Sequence, residues 1–262
     1  MKIQEIIDYL QTQGTWVNWN QSRDIVLFGE TNYEINKIGI CWMMTNKALA
    51  KAIKEKVNFI ITHETAFYEA ATAPRRLFYE SAQKKKELLK QNNICLYRCH
   101  DVWDKIPKVG IADVWSKVID LPFEPRELTS YNSYAKFSPM SIQEIALKIS
   151  KALTPYGQDC VQIYGDPKRL ITSLVIGTGA AIDINTMLQP GVDAVVISED
   201  GSLTTQDVQY CLDNDIGVIR VNHAQSEIPG MHSMVAYLQE KFLLDVIYLP
   251  EGYDMTSVCN CC

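Results

Sequence analysis

Three of the four histidines in the chain follow apolar segments that are predicted to be β-strands. His63 comes after VNFIIT, His100 after ICLYRC and His223 after IGVIRVN. Continuous apolarity with many β-branched residues is typical of strands that are buried on both faces of a parallel sheet. Because open α/β sheets bind ligands at the carboxyl ends of their strands, the three histidines are candidate functional residues.

Each of these histidines has an acidic residue within four positions along the chain; these residues are Glu64, Asp101, Asp104 and Glu227. Imidazole and carboxylate groups together form the ligand sets of Zn, Mn, Fe and Ni sites. If a helix begins at the third histidine, the spacing places its ring and Glu227 on one side of the first turn. The pattern predicts a metal site, and the alternative is three separate loop histidines that only make hydrogen bonds. The fourth histidine, His232, is assigned to a helix surface.

The segments that carry these residues repeat one strand–helix alternation in two halves of the chain. In the first half, strands at 38–43, 57–62 and 94–99 alternate with helices at 47–56 and 75–91. In the second half, strands at 173–176, 192–198 and 216–221 alternate with helices at 182–188 and 204–214. Such alternation is typical of α/β domains. We therefore expect two similar α/β domains whose polar strand ends converge on one cleft.

A domain boundary is predicted at residues 121–131, where Pro122, Pro125 and polar residues interrupt the apolar periodicity. The predicted domains are residues 1–125 and residues 126–262. The prediction allows the C-terminal segment to belong to the first domain instead of the second.

The composition is typical of a soluble globular protein, because 47% of the 262 residues are hydrophobic and 21% are charged. The net charge of −6 opposes binding to a nucleic-acid backbone. No apolar run approaches the roughly 20 residues that span a membrane, and the amphipathic N-terminal segment differs from a signal peptide. We therefore expect a cytoplasmic protein without membrane or nucleic-acid partners, in which the eight cysteines are thiols rather than disulfides.

Two further motifs are interpreted as structural. Gly177-Thr178-Gly179 is predicted to form a turn, because Ile182 stands where a dinucleotide-binding loop needs its next glycine. The run Lys84-Lys85-Lys86 is predicted to be a solvated helix face.

Cysteine and tryptophan residues leave several interpretations open. Cys95 and Cys99 are predicted to be core thiols. Trp103 either walls a substrate pocket or packs in the core. Three cysteines close the chain, and they either bind a soft metal, take part in redox chemistry or have no function. These are Cys259, Cys261 and Cys262.

At these motifs the chain resembles the dinuclear-metal-centre hexameric proteins, also called NIF-three-like and often described as GTP cyclohydrolase I type 2 homologues. The resemblance covers most of the chain. Where the family has Thr-His-His-Pro, this chain has Thr62-His63-Glu64-Thr65, and His100-Asp101-Val102-Trp103-Asp104 replaces His-Thr-Asn-Leu-Asp. A glycine pair follows at Gly177-Thr178-Gly179, and Asn222-His223-Ala224-Gln225-Ser226-Glu227 replaces Gly-His-Tyr-x-Ser-Glu.

The resemblance implies two similar three-layer α/β/α domains with a two-metal site in the cleft between them, assembled as a homohexamer. The implied metal ligands are His63, Asp104, His223 and Glu227. Glu64 stands where the family has a second histidine and is an additional candidate ligand. Its carboxylate shifts the metal preference of the site towards Mn, Mg or Fe. The chain is therefore expected to bind one or two divalent ions, among which Zn, Fe, Mn and Ni are not distinguished.

A second departure is Ser198-Glu199-Asp200-Gly201, because no histidine follows it as one does in the family. The function implied by the resemblance is that of a metal-dependent hydrolase, in which the ions lower the pKa of a bound water. Asp101 or Glu64 is expected to move the proton. The expected substrate is a small molecule, and only the family suggests a nucleotide-like one. The alternative is a metal-binding scaffold or regulatory protein without turnover, which is favoured by the absence of the family's second histidine at Glu64.

Overall fold

A computed structural model describes residues 1–68 and 76–256 of the chain, so the tail with Cys259, Cys261 and Cys262 lies outside the described residues. These residues form two compact α/β units. Unit 1 consists of Met1–Val109 and Met231–Gly252. Unit 2 consists of Gly110–Gly230 and the described residues from Tyr253 onward.

The strands are β1 (Ile25–Phe28), β2 (Ile38–Cys41), β3 (Phe59–Thr62), β4 (Cys95–Arg98), β5 (Ser133–Ser141), β6 (Gln162–Tyr164), β7 (Leu170–Ile176), β8 (Ala194–Ser198), β9 (Gly217–Val221) and β10 (Val246–Tyr248). The α-helices are α1 (Ile3–Gln13), α2 (Asn46–Lys54), α3 (Arg76–Gln91), α4 (Asp101–Lys105), α5 (Ile111–Ile119), α6 (Ile142–Leu153), α7 (Ile184–Leu188), α8 (Gln209–Asp213) and α9 (His223–Phe242). A 3₁₀ turn at Thr154–Tyr156 follows α6, and a π-helical turn at Thr204–Val208 precedes α8. Within the described part of the chain, no helix is long and apolar enough to cross a membrane.

Unit 1 is built on a mixed sheet with the strand order β1-β4-β3-β2-β10. The strands β10, β2, β3 and β4 are parallel, and β1 pairs antiparallel with β4. Every residue of β2 and β3 is buried, as their continuous apolarity predicts. On α1, apolar residues at helical spacing, including Ile3, Ile7 and Leu10, are buried in unit 1.

Unit 2 is built on a second mixed sheet with the strand order β5-β7-β8-β9-β6. The three central strands β7, β8 and β9 are parallel, and both edge strands are antiparallel to their neighbours. β5 is absent from the sequence prediction because polar residues and Pro139 interrupt its pattern. Its pairing with β7 is irregular between Lys136 and Met140, close to that proline.

The predicted repeat is confirmed in both units. The segments β2-α2-β3-α3-β4 and β7-α7-β8-α8-β9 each place three parallel strands side by side in chain order. In each unit, the carboxyl ends of these strands therefore lie at one edge of the sheet.

The compact units have other boundaries than the predicted domains of residues 1–125 and 126–262. Helix α5 precedes the predicted boundary, but its Trp115 and Ile119 are buried in the core of unit 2. At the other end of the chain, β10 pairs with β2 and belongs to unit 1, a placement that the prediction allowed for the C-terminal segment. Short apolar segments do not reveal which sheet they join, because either sheet offers a similar apolar surface.

The lysine run on α3 is not solvated throughout, which corrects the sequence prediction. Lys84 is exposed, whereas Lys85 is only 2% exposed. The Nζ of Lys85 donates to the carbonyl oxygens of Met44 and Ala66 at 2.8 Å each, and it lies 4.3 Å from the ring centre of Tyr68. Lys85 therefore connects the segments that follow β2 and β3.

The substitution Lys85→Met should lower the free energy of unfolding by about 2 kcal/mol, because it leaves buried carbonyl oxygens without their donor. The substitution Lys84→Met is the matched control and should change it by less than about 0.5 kcal/mol. Urea denaturation of the two variants measures both effects. Equal stabilities would contradict the structural role of Lys85.

Asp193 joins β7 to the start of β8. Its Oδ2 accepts hydrogen bonds from the backbone N–H groups and hydroxyls of Thr172 and Ser173 at 2.8–3.0 Å. Burial by itself would raise the pKa of Asp193, but these hydrogen bonds lower it below its usual value.

A carboxyl whose pKa is lowered by folding stabilises the protein above its unfolded pKa of about 3.9 and loses this contribution as the pH falls through the folded pKa. We therefore expect Asp193→Asn to be less stable than the wild type at pH 7 and to approach it on acidification below about pH 4. Thermal unfolding across this pH range measures the difference. A difference that does not shrink on acidification would contradict the assignment.

Candidate metal centre

In unit 1, two of the strand-end histidines lie beside each other. The parallel pairing of β3 and β4 places Thr62 opposite Arg98, so the residues that follow both strands lie at the same sheet edge. The rings of His63 and His100 stack with their centres 4.2 Å apart and an angle of 13° between their planes. Adjacent strand ends thus bring two residues together that are far apart in the sequence.

Asp104 completes a buried group with these two histidines. Its Oδ1 lies 3.5 Å from Nε2 of His63, and its Oδ2 lies 3.1 Å from Nδ1 of His100. All three residues are buried, and each offers one ligand atom within 4.8 Å of the others. Because Nδ1 of His63 lies 3.3 Å from the carbonyl oxygen of Cys99, a hydrogen bond to that oxygen leaves Nε2 as the nitrogen that could bind a metal ion.

The electrostatic environment of His100 favours a positive charge. Burial by itself would lower the pKa of His100, but the carboxylates of Asp104, Asp101 and Glu64 raise it well above its usual value. Carboxylates that stabilise an imidazolium also compensate the charge of a metal ion, which would replace the proton.

A residue that the sequence analysis missed holds Asp101 and Asp104 in place. Both lie on the short helix α4, which lacks a side-chain cap of its own. Asp24, 76 residues before His100, accepts hydrogen bonds from the backbone N–H groups of His100, Asp101 and Val102 at 2.9, 2.7 and 3.3 Å. Burial and the charge of Asp101 raise the pKa of Asp24. No local sequence signal reveals this cap, because it acts across the fold.

The two acidic residues predicted to move protons each have partners. Asp101 lies 3.1 Å from Nδ1 of His100 and accepts a hydrogen bond from the backbone N–H of Arg23 at 2.8 Å. Burial would raise the pKa of Asp101, but these hydrogen bonds lower it, so the carboxylate is ionised at neutral pH. Glu64 pairs with Arg98 at 3.2 Å, and its other oxygen lies 3.6 Å from Nε2 of His100.

In unit 2, His223 is the first residue of α9, so the condition under which its ring and Glu227 share one side of the first turn is met. Nε2 of His223 lies 3.1 Å from Glu227, one turn further along the helix, and its Nδ1 lies 2.9 Å from Asp200. The backbone N–H of His223 donates to Glu199 at 2.7 Å. The predicted histidine–glutamate pair is therefore formed, and the segment after β8 orients its ring.

Gly179, in the predicted turn, lies directly against this pair. Its φ of +58° is in the left-handed region, and a Cβ atom there would collide with the Glu227 carboxylate and lie 2.9 Å from Nε2 of His223. Its N–H donates to the hydroxyl of Ser226, and its carbonyl oxygen accepts from Ser198. The turn thus bounds the side-chain pair in unit 2.

The remaining sequence interpretations are settled by burial. Cys95 and Cys99 are fully buried, as predicted. Trp103 is also fully buried and packs edge-on against Tyr237, so it belongs to the core. His232 is exposed on α9 and stacks on Tyr248, as expected for a helix-surface residue.

The fold and the site define a protein of two α/β units with a buried histidine–carboxylate group that can hold a metal ion. A family model described as Duf34/NIF3 (NGG1p interacting factor 3) matches residues 1–251. The chain therefore belongs to the Duf34/NIF3 family, which confirms the resemblance found in the sequence. A GTP cyclohydrolase 1 type 2 homolog of Methanocaldococcus jannaschii is 29% identical over 130 residues. That match spans 46% of this chain and about half, 48%, of the relative.

Solved structures of similar fold cover nearly the whole chain. Staphylococcus aureus protein SA1388 and a Bacillus cereus protein related to NIF3 each have a TM-score of 0.79 over 99% of both chains, with 18% and 11% identity. Reduced HcgD from Methanocaldococcus jannaschii has a TM-score of 0.69 and 20% identity over 95% of this chain and 98% of its own. At these identities, the likeness establishes the fold.

The substitution Gly179→Ala should lower the free energy of unfolding by about 3 kcal/mol, because it combines left-handed backbone strain with a collision against Glu227. The substitution Gly191→Ala is the matched control: Gly191 also has a positive φ, of +70°, but a Cβ there has nothing within 4 Å. Gly191→Ala should lower the free energy of unfolding by about 1 kcal/mol, from backbone strain alone. Chemical denaturation compares the two variants, and equal losses would show that Glu227 does not confine this position.

Proposed function

We propose that the chain binds a divalent metal ion through His63, His100 and Asp104 and acts as a metal-dependent hydrolase. The observation that supports this proposal is the buried triad, whose ligand atoms lie within 4.8 Å of one another. Ligands about 2.0–2.2 Å from a tetrahedral ion are roughly 3.3 Å apart. The Asp104 oxygens lie at similar distances from the histidines, 3.5 Å from Nε2 of His63 and 3.1 Å from Nδ1 of His100. Two imidazoles and one carboxylate suit Zn, Mn, Fe and Ni.

The further ligands remain a proposal that rests on the resemblance. These are Glu64 in unit 1 and the His223–Glu227 pair in unit 2. The pair is buried and formed within its own unit, and Asp200 lies 2.9 Å from Nδ1 of His223. Metal-binding histidines commonly donate their other ring nitrogen to a carboxylate in this way. One or two ions per chain are both compatible with these residues.

The chemistry is that of water activation. A bound divalent ion lowers the pKa of a coordinated water towards about 7. Asp101 is the better placed of the two predicted proton acceptors, because its side chain is 24% exposed, whereas an oxygen of Glu64 is held by Arg98. The buried histidines and Asp104 hold the donor atoms in fixed positions. The substrate class is a small molecule, and only the name of the M. jannaschii relative points to a nucleotide.

A second candidate is a metal-binding scaffold or regulatory protein without turnover. It is favoured by the contacts of Glu64 and Asp101, because both carboxylates are already engaged by positively charged or N–H groups. The homohexamer implied by the resemblance is likewise a proposal, which light scattering tests against the 29.7 kDa of one chain.

His63→Ala should lower the metal content of the untagged, purified protein at least about tenfold, because it removes a ligand from the buried triad. His232→Ala is the matched control in the same unit and should keep the wild-type metal content. Elemental mass spectrometry measures both. Equal metal content in the wild type and His63→Ala would overturn the site assignment.

A hydrolysis screen with and without the metal found in this way separates the enzyme from the scaffold. For a hydrolase, Asp101→Asn should keep most of the metal but lower turnover about 100-fold, as expected for the loss of a proton acceptor. Metal binding without metal-dependent hydrolysis of any phosphoester, amide or nucleotide substrate in the screen would favour the scaffold.

A further inference from the structure

Arg98 binds two consecutive residues of the candidate metal centre. Its Nε donates to the backbone carbonyl oxygen of His63 at 3.1 Å, and its Nη2 donates to Oε2 of Glu64 at 3.2 Å. The two side chains are largely buried, with 11% of Arg98 and 16% of Glu64 exposed. Because a guanidinium carries its donors in a rigid planar fork, this double contact fixes both residues relative to β4.

The contact also determines which oxygen of Glu64 faces His100. Oε2 is bound by Arg98, and Oε1 lies 3.6 Å from Nε2 of His100. Glu64 is therefore oriented to offer one oxygen rather than two.

The charges of this pair cancel. A carboxylate alone attracts a divalent cation, and a guanidinium alone repels it, but the pair is formally neutral. Breaking a buried pair by removing one partner leaves the other charge uncompensated, which is more unfavourable than removing both. The second arginine near the centre, Arg23, is an exposed residue whose Nη1 lies 3.3 Å from Nε2 of His100.

We propose that Arg98 is a positioning residue of the metal centre, which clamps His63 and Glu64 and cancels the charge of Glu64. Towards a cation, the Glu64–Arg98 pair then acts as a neutral ligand does. The inference rests on the proposed metal site. It also explains how a glutamate occupies a position where the resemblance places a neutral histidine, because Arg98 supplies the compensating charge.

The test is the affinity of the full-length, metal-free chain for Mn²⁺, measured by calorimetry. Glu64→Gln leaves Arg98 unopposed and should weaken binding at least about tenfold. Adding Arg98→Met removes the repelling charge, so the double variant E64Q/R98M should bind at least about threefold more tightly than E64Q. The double variant E64Q/R98K keeps the charge and should bind no better than E64Q. By the same argument, Glu64→His alone should bind more weakly than E64H/R98M.

If Arg98 only supported the local structure, its removal would not restore Mn²⁺ affinity to E64Q. If E64Q/R98M binds Mn²⁺ as weakly as E64Q or more weakly, the charge role of Arg98 is overturned. Failure of the metal site itself is distinguished by His63→Ala, which would then bind Mn²⁺ and Zn²⁺ as the wild type does.

Thermal unfolding in the presence of a chelator tests the clamp independently of any metal. Glu64→Gln and Arg98→Met should each lower the melting temperature, and the double variant should lower it by less than the sum of the two shifts. Additive shifts would show that the two side chains are not coupled and would overturn the clamp.

Discussion

The parallel pairing of β3 with β4 is the constraint on which the site in unit 1 depends. It fixes the register of the two strands, so that the residues after Thr62 and after Arg98 leave the sheet side by side. A shift by one residue would turn a buried side chain of each strand to the opposite face. The stacking of His63 on His100 and the closeness of both rings to Asp104 follow from this register.

Charged groups in the interior of unit 1 are each neutralised or hydrogen-bonded by a residue from another part of the chain. Asp24 accepts from the N–H groups at the start of α4, Lys85 donates to two carbonyl oxygens, and Arg98 binds Glu64. Buried charge without partners is costly, so these contacts specify which arrangement of the loops is stable. The loops after the strands are therefore held by electrostatic interactions, which are also what would bind a cation at the centre.

Unit 2 also contains an oriented histidine–carboxylate pair, but other elements hold it in place. The pair His223 and Glu227 lies on the first turn of a long helix, and its ring is oriented by Asp200 from the segment after β8. Gly179 lies so close to the Glu227 carboxylate that only a residue without a side chain fits. In both units, a histidine and a carboxylate four residues apart are oriented by a carboxylate close to the ring.

The sequence by itself determined the strand–helix alternation and the positions of the three strand-end histidines. Strands such as β3 can be recognised in the sequence, because both of their faces are buried and the apolar run is therefore continuous. The pairing of His223 with Glu227 could be predicted, because helical spacing is a local property of the sequence. The resemblance to the family then implied Asp104 as a candidate ligand.

Only the tertiary structure decided which distant groups meet. The cap that Asp24 provides for α4, the burial of Lys85 within a lysine run and the contact of Arg98 with Glu64 leave no trace in local periodicity. The unit boundary at Val109 and the pairing of β10 with β2 were likewise decided by packing against a particular sheet. The physical reason is that periodicity records whether a side chain is buried, whereas hydrogen bonds and ion pairs between distant segments depend on how the chain folds back on itself.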